Sequence, residues 1–223
     1  MSGETDPRLQ KIKRSFDRGA GAYDRWMGLS ERILRDARRT VGERVRGRVL
    51  DVGIGTGISL EHYPDDVSVD GVDLSPGMLA RARLRADALG LEVRLHEMDA
   101  QHLEFGDDAF DSVAFNLCLC TIPDPEAAVR EGIRVARPGA PMVFLEHVRS
   151  HIRPVALLQD LVTPITAAAA ADYFNRRTAD TIRRAGAQAL TIKPFALGFF
   201  NLIIAEAPAK LSPPQTPGQD GRY

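Results

Sequence analysis

Apolar residues along the chain follow two spacings that predict a repeated strand–helix pattern. Short apolar runs begin at Val49, Val67, Leu91, Ser112 and Pro141, and the segments between them place apolar residues three or four apart. Such runs are typical of half-buried or buried strands, and the spacing of the intervening segments is typical of amphipathic helices. Strands that alternate with helices form mostly parallel sheets covered on both faces. The pattern therefore predicts an α/β domain.

A glycine-rich turn follows the first strand. An acidic residue and three glycines alternate with other residues, as Asp51, Gly53, Gly55 and Gly57. Glycine tolerates positive φ and lets the backbone approach a ligand closely, and such a turn at the carboxyl edge of a parallel sheet forms a ligand crevice. The dinucleotide fingerprint G-x-G-x-x-G needs its third glycine one residue later, where this chain has Ile58. A carboxylate in this turn would repel a pyrophosphate but attract an ammonium or sulfonium group.

A second strand ends in another acid. The segment Val69–Asp73 continues into Leu74 and Ser75, and Asp73 lies 22 residues after Asp51. In doubly wound folds, a carboxylate about 20 residues after the glycine turn binds ribose hydroxyls. The D-x-G-x-G-x-G turn and the V-D-G-V-D-L-S segment together resemble motif I and the following strand of the class I S-adenosylmethionine (SAM)-dependent methyltransferases.

This resemblance implies a fold, a cofactor and a set of binding residues. The fold is a Rossmann-like three-layer sandwich with a seven-stranded, mostly parallel sheet, helices on both faces and an antiparallel last strand. The cofactor is SAM, and the product is S-adenosylhomocysteine. An acid at the end of the third strand binds the adenine amino group in the family, and Asp99 has that position; a turn cap is the alternative. The implied cofactor-binding residues are Tyr23, Asp51, Gly53, Gly55, Gly57, Asp73, Leu74, Met78, Asp99, Ala100, Asn116 and Leu117.

The N-terminal region is predicted to be helical. Apolar residues at helical spacing predict one helix that ends near Gly19 and another that ends near Val45. Residues 15–17 and 22–24 resemble the F-D…Y-D segment of the UbiE-type (ubiquinone/menaquinone) methyltransferases. In that family, this segment lies over the cofactor. The resemblance implies that Tyr23 contacts cofactor or substrate. A contact that only fixes the helix to the core is the alternative.

The fifth strand ends in the sequence Leu145-Glu146-His147-Val148. This segment resembles the same strand end in lipid- and thiol-modifying relatives of the UbiE group. Strand ends at this edge carry the chemistry of open α/β sheets, and histidine transfers protons near neutral pH. Glu146 and His147, together with Tyr23, are therefore the predicted catalytic residues. The structural alternative is that Glu146 pairs with an arginine and His147 packs in a loop.

Charge is distributed unevenly along the chain. The 223 residues have a formal net charge of −1, which argues against a nucleic-acid partner recognised by bulk charge. Residues 8–48, however, contain thirteen Lys/Arg and only five Asp/Glu. This excess is interpreted as a solvated basic face, or alternatively as a surface that attracts anionic lipid head groups or an acidic substrate.

The cysteines and histidines do not form a recognisable metal motif. Cys118 and Cys120 lie two apart on the predicted strand 112–119, where they point the same way and do not suit a disulfide. The five histidines are scattered, and His147 and His151 straddle the exit from a strand. No metal is therefore expected. No signal peptide or membrane span is apparent, so the expected location is cytoplasmic, with peripheral contact at the inner membrane face left open.

Three regions are predicted along the chain. Residues 1–46 form a helical cap, and residues 47–207 form the SAM-binding domain, with an apolar helical insertion for the substrate at about 151–175. The proline- and glycine-rich residues 208–223 are expected to be disordered.

The expected function is methyl transfer from SAM to a small lipophilic acceptor, such as a quinone precursor, a polyketide or other natural product, or a thiol. The main alternative is a phosphatidylethanolamine N-methyltransferase at a membrane surface, which the basic N-terminal region favours. Asp51, Asp73 and Asp99 argue against a SAM-binding module without activity, and the glycine spacing argues against an NAD-dependent oxidoreductase. The expected partner is a small molecule or lipid and not a nucleic acid, and a homodimer is left open.

Overall fold

The structure is a computed structural model that describes residues 6–170 and 172–209. Within these residues the chain forms a seven-stranded sheet in the order β3-β2-β1-β4-β5-β7-β6. The neighbouring strands from β3 to β5 are parallel, and β7 runs antiparallel to both β5 and β6. The strands are β1 Arg48–Val52, β2 Ser68–Asp73, β3 Val93–Glu97, β4 Ser112–Asn116, β5 Pro141–His147, β6 Gln188–Phe195 and β7 Phe200–Glu206. The predicted fold class is confirmed.

Helices cover both faces of the sheet. They are α1 Pro7–Arg44, α2 Pro76–Leu89, α3 Pro125–Val135, α4 Arg153–Ala170 and α5 Thr178–Ala185, and a short 3₁₀ helix spans Ile58–His62. Helix α1 packs against α2 and β5, and α3 packs against α5. Successive strand residues alternate between the two cores, because Val49 packs on the α1 side and Leu50 on the α3 side.

The N-terminal region is one helix and not two. Helix α1 continues through Gly19 and Gly21, although each glycine in a helix interior costs about 1 kcal/mol relative to alanine. Apolar side chains on both sides of the glycines are buried, including Ile12, Ala20 and Leu34. This tertiary packing outweighs the local preference, so the prediction of a helix end near Gly19 is wrong.

Strand β4 is shorter than predicted. It ends at Asn116, because the next residue, Leu117, adopts a left-handed conformation with φ of 55°. Cys118 and Cys120 therefore lie in the loop after the strand, where both are free and buried. The prediction that they occupy the strand and share one of its faces is wrong.

Helix α4 carries an exposed apolar surface. It continues through Pro164, and four of its large apolar side chains are mostly exposed, with relative exposures of 67% for Leu157, 61% for Leu158, 73% for Leu161 and 70% for Ile165. These four residues are called the apolar stripe below. The C-terminal part of α4 meets the start of α1, where the Lys11 ammonium donates to the Ala168 carbonyl. None of the described helices is long and apolar enough to cross a membrane.

The predicted regional boundaries remain predictions. The predicted tail at 208–223 lies outside the described residues from residue 210 onward.

Candidate functional site

A cleft opens at the carboxyl ends of β1, β2 and β4. This edge of a parallel sheet is where open α/β folds bind their ligands. Helix α1 covers the cleft with Leu9, Ile12, Lys13, Phe16 and Tyr23. The sheet side of the wall includes most of the predicted cofactor-binding residues, namely Gly53, Gly55, Asp73, Leu74, Met78, Asp99, Ala100, Asn116 and Leu117.

The three glycines of the turn have different surroundings. A Cβ atom at Gly53 would lie 2.3 Å from the Cβ of Cys118, so this position needs glycine for close packing. A Cβ atom at Gly55 would have the backbone oxygen of Gly53 as its nearest neighbour, 3.9 Å away, so the space beside Gly55 is open to the cleft. Gly57 does not line the cleft, since it packs against Leu60 and Ala82. All three glycines have positive φ, a backbone conformation that residues with a side chain rarely adopt.

Asp51 lies behind the cleft wall. Its carboxylate is fully buried and accepts hydrogen bonds from the Tyr63 hydroxyl and the Asn116 amide, both at 2.9 Å. Burial raises the pKa of Asp51 to about 6. The amide oxygen of Asn116, which does line the cleft, has no hydrogen-bond partner among the described residues. Asp51 thus reaches the cleft through Asn116, whose buried oxygen is available to a donor on a ligand.

Asp73 stands at the end of β2 in the cleft wall. One carboxylate oxygen accepts from the backbone N–H of Gly55 at 3.0 Å, and the other accepts from the backbone N–H of Ser75 at 2.9 Å. Burial raises the pKa of Asp73 to about 6. Each oxygen has a further lone pair, so this carboxylate can also accept from hydroxyl groups in the cleft.

Asp99 follows β3 and also lines the cleft. It accepts from the backbone N–H of Gln101 at 3.0 Å and from the Gln101 side-chain amide at 2.9 Å. This is the turn-capping arrangement considered above. The carboxylate is nevertheless part of the cleft wall, so the cap does not exclude an adenine contact.

Two aspartates of α1 hold the helix over the cleft. The Asp17 carboxylate accepts from the Ser75 hydroxyl and from the backbone N–H of Gly77 at the start of α2. About two turns further on, Asp24 accepts from the Thr56 hydroxyl in the glycine turn at 2.6 Å. The F-D…Y-D pattern was the available signal for these contacts. It pointed to Tyr23, whose ring lines the cleft and whose pKa is raised by burial.

Glu146 does not line the cleft. Its carboxylate is fully buried beneath the loop after β4, where one oxygen accepts from the backbone N–H groups of Cys118 at 3.0 Å and Leu119 at 3.1 Å. The Arg176 guanidinium holds the same loop by donating to the Leu119 and Ile122 carbonyls. Glu146 therefore shapes the cleft wall from behind and has no direct access to a substrate there.

His147 is also separate from the cleft wall. Its Nε2 atom lies 3.0 Å from an oxygen of Asp172, and its ring packs against Phe174 at a centroid distance of 4.7 Å. The loop after β4 turns at Leu117, and its Cys118 and Leu119 N–H groups contact Glu146 at the end of β5. Of the three predicted catalytic residues, the structure brings only Tyr23 to the cleft, so the catalytic assignment of Glu146 and His147 is not supported by their positions.

The cleft suits a ligand with hydroxyl, amine and cationic groups. Its sheet side offers the oxygens of Asp73, Asp99 and Asn116, and α1 adds an apolar and aromatic cover. These residues fit SAM, which carries an adenine amino group, two ribose hydroxyls, an ammonium and a sulfonium. Together with the strand order, the site defines a class I SAM-dependent methyltransferase.

Comparisons with known proteins give the same result. The family model described as "Methyltransferase domain" matches residues 50–144. A phosphatidylethanolamine N-methyltransferase of Cereibacter sphaeroides is 38% identical over 156 residues, which cover 68% of this chain and 75% of that protein. A demethylmenaquinone methyltransferase of Thermus thermophilus is 38% identical over 66% of this chain and 64% of that protein. The chain therefore belongs to the SAM-dependent methyltransferases, in the group that includes UbiE.

Solved structures share the fold at low sequence identity. A methyltransferase of Haloferax volcanii, in complex with the Trm112 methyltransferase activator, has a TM-score of 0.70 at 19% identity, over 87% of this chain and 98% of that one. A SAM-dependent methyltransferase of Thermotoga maritima has a TM-score of 0.67 at 21% identity, over 87% of this chain and 99% of that one.

Proposed function

We propose that this methyltransferase acts on the amine of a phospholipid, the head group of phosphatidylethanolamine, at the surface of a membrane. The observation that carries the proposal is the apolar stripe on α4. A stripe of four exposed, large aliphatic side chains is costly in water and is stabilised when it enters the boundary between head groups and acyl chains.

The position of the stripe supports the same conclusion. The C-terminal part of α4 meets the first turns of α1, and those turns carry cleft-lining residues such as Leu9 and Ile12. Helix α1 is also rich in Lys and Arg, which attract an anionic membrane surface. An apolar face and a basic helix beside one cleft would bring a lipid head group to the cofactor.

The residues of the cleft suit an amine better than a carbon or phenol acceptor. Among its described lining residues there is no histidine or glutamate. Burial raises the pKa of Tyr23, so this hydroxyl stays protonated and is a poor base. A free amine attacks through its own lone pair and needs little base assistance, whereas a phenol or enol carbon benefits from one.

The role of the protein is then mainly to position the amine next to SAM and to exclude water from the site. SAM, when bound, supplies an electrophilic methyl carbon. The deprotonated amine would form the N–C bond as the S–C bond of SAM breaks, and the resulting methylammonium would release its proton to solvent. The α1 cover and the loop held by Glu146 and Arg176 would keep the two reactants together.

The relatives support two acceptors. The Cereibacter sphaeroides relative is named for phosphatidylethanolamine, and the Thermus thermophilus relative is named for demethylmenaquinone. A quinone precursor is therefore the second candidate, and it too is a membrane lipid. The cleft wall has no histidine or glutamate among its described residues, and its two carboxylates, Asp73 and Asp99, are assigned here to SAM, which favours the phospholipid.

A transfer assay with methyl-labelled SAM tests the proposal. Vesicles of phosphatidylcholine alone are compared with vesicles that also contain phosphatidylethanolamine or demethylmenaquinone, and a soluble thiol is tested in parallel. We expect label in monomethylated phosphatidylethanolamine and none in phosphatidylcholine. Label only in the quinone or the thiol would refute the proposed acceptor. Asp73→Ala serves as the control with impaired cofactor binding.

A further inference from the structure

Three potential metal ligands converge behind the cleft. The Cys120 thiol, the His147 imidazole and the Asp172 carboxylate each present a ligand atom, and these atoms lie within 4.8 Å of one another. We infer that this Cys-His-Asp cluster is a binding site for a divalent metal ion that accepts a thiolate ligand, of which Zn²⁺ is the best match. The site is separate from the SAM cleft, and the methyl-transfer reaction does not require it.

The chemistry of the three side chains favours zinc. Thiolate, imidazole and carboxylate are the ligands that Zn²⁺ takes in proteins, and three protein ligands with one open position is a common arrangement. Zn–S and Zn–N bonds of about 2.3 and 2.0 Å place tetrahedral ligand atoms roughly 3.3–3.6 Å apart. The His147 and Asp172 atoms are 3.0 Å apart, and all three ligand atoms lie within 4.8 Å of one another, so the ligand atoms must rearrange around a bound ion.

Cys120 and His147 are buried, Asp172 is half-buried, and the hydrogen bonding of the cluster is incomplete. Cys120 is 2% and His147 is 7% exposed. The Asp172 oxygen near His147 has no hydrogen-bond partner among the described residues, although it lies 3.0 Å from Nε2 of His147. The Nδ1 atom of His147 has none either. Buried polar groups without partners are unusual, and a metal ion would satisfy the carboxylate oxygen directly.

The charges of the ligands suit a divalent ion. A thiol that coordinates a metal ion is deprotonated, so the Cys120 thiolate and the Asp172 carboxylate would together balance the two positive charges of the ion.

The cluster joins three separate segments of the chain. Cys120 lies in the loop after β4, His147 ends β5, and Asp172 follows α4. The backbone N–H of Tyr173 already donates to the Cys120 carbonyl at 3.2 Å. A metal ion here would fasten the segment after α4 to the loop that forms part of the cleft wall.

The full-length, untagged protein is first freed of metal with a chelator. Titration of this protein with Co²⁺ then tests the inference. Co²⁺ reports a thiolate ligand through a charge-transfer absorption band. We expect this band in the parent protein at one ion per chain, and we expect Zn²⁺ to displace the Co²⁺. The matched control is Cys118→Ser, which alters the neighbouring buried cysteine and should keep the band, whereas Cys120→Ser should lose it.

Two further variants keep the test decisive if Cys120→Ser fails to fold. His147→Gln and Asp172→Asn should each weaken Co²⁺ affinity by more than about 10-fold, since even the loss of an outer partner of a ligand weakens metal binding 10–100-fold. Zn²⁺ should also raise the melting temperature of the parent protein and of Cys118→Ser. A folded parent protein that shows no charge-transfer band would overturn the site, and so would a band that depends on Cys118 instead of Cys120.

Discussion

The backbone N–H of Gly55 donates a hydrogen bond to the Asp73 carboxylate at 3.0 Å, and this contact joins the ends of β1 and β2. It fixes the glycine turn and the carboxylate relative to each other on one wall of the cleft. Both groups are therefore organised before any ligand arrives, which reduces the entropy lost on binding.

Asp73→Ala should weaken SAM binding. The variant removes a buried acceptor and leaves the N–H groups of Gly55 and Ser75 without their partner. The loss of such contacts costs about 1–3 kcal/mol, or roughly 5- to 150-fold in affinity. Calorimetric titration with SAM measures the change, and Asp66→Ala in an exposed loop is the control. Equal affinity in the parent and in Asp73→Ala would contradict a ribose contact.

SAM affinity should fall in mildly acidic solution. Burial, with the nearby Asp17 carboxylate, raises the pKa of Asp73 to about 6. Below this pH the side chain gains a proton, loses part of its acceptor capacity and attracts the SAM cation less strongly. The dissociation constant should therefore rise as the pH falls from 7 to 5. In Asp73→Asn, which has no titrating group at this position, the same series should be flatter; matching curves would show that another group is responsible.

Gly53→Ala and Gly55→Ala should separate folding from binding. Both positions have positive φ, so each alanine costs on the order of 1 kcal/mol or more in backbone strain. Gly53→Ala adds a clash with Cys118, and urea denaturation should show the larger loss of stability. Gly55→Ala has room for its methyl group but projects it beside the open cleft, so it should fold and bind SAM weakly. Normal SAM affinity in folded Gly55→Ala would argue that the ligand does not approach this glycine.

Asp70 should contribute to stability in a pH-dependent manner. This carboxylate, 1% exposed, accepts from Arg48, Arg94 and His96 at 2.9 Å. Although burial opposes ionisation, these hydrogen bonds hold the pKa of Asp70 well below its usual value.

The stabilisation by Asp70 is present above the unfolded-state pKa of about 3.9 and is lost as the pH falls through that value toward the lower folded-state pKa. Asp70→Asn should cost about 1–3 kcal/mol at pH 7 and progressively less below pH 4. Urea denaturation of the parent protein and of Asp70→Asn, at pH 7 and again below pH 4, measures this difference in the free energy of unfolding. A deficit that is independent of pH would exclude the ion pairs as its source.

The apolar stripe should determine vesicle binding and not SAM binding. Replacement of Leu157 and Leu161 by glutamine removes two exposed side chains, and each is worth roughly 1.5–3 kcal/mol when fully buried in an apolar phase. The double variant should bind vesicles at least about 10-fold more weakly in co-sedimentation. Leu84→Gln, which alters a leucine of α2 with 66% exposure, is the matched control and should bind normally. Vesicle binding that is equal in all three proteins would remove the membrane-facing role of α4.

The strand ends could be predicted because their signals are local. Asp51, Asp73 and Asp99 each follow an apolar run, and the strand order brings the ends of those runs to one edge. The same local reasoning located the glycine turn, whereas Tyr23 was identified through the resemblance of its segment to the F-D…Y-D pattern. Parallel strands with short connections leave few other arrangements, so these residues could be placed without the structure.

The position of the residues after β5 could not be predicted in the same way. Glu146 and His147 also stand at a strand end, but the loop after β4 turns at Leu117 and covers them. A left-handed leucine has no sequence signal, since this conformation is imposed by the surrounding contacts. The proximity of Cys120, His147 and Asp172 likewise depends on how distant segments pack, and no spacing in the sequence indicates it.

Helix α1 is pinned at Asp17 and Asp24 directly above the cleft, and its first turns also meet α4. Helix α1 therefore forms part of the wall that S-adenosylhomocysteine passes when it leaves. If a lipid leaflet also presses on α1, we expect the rate of product release to depend on how tightly the protein is bound to that leaflet.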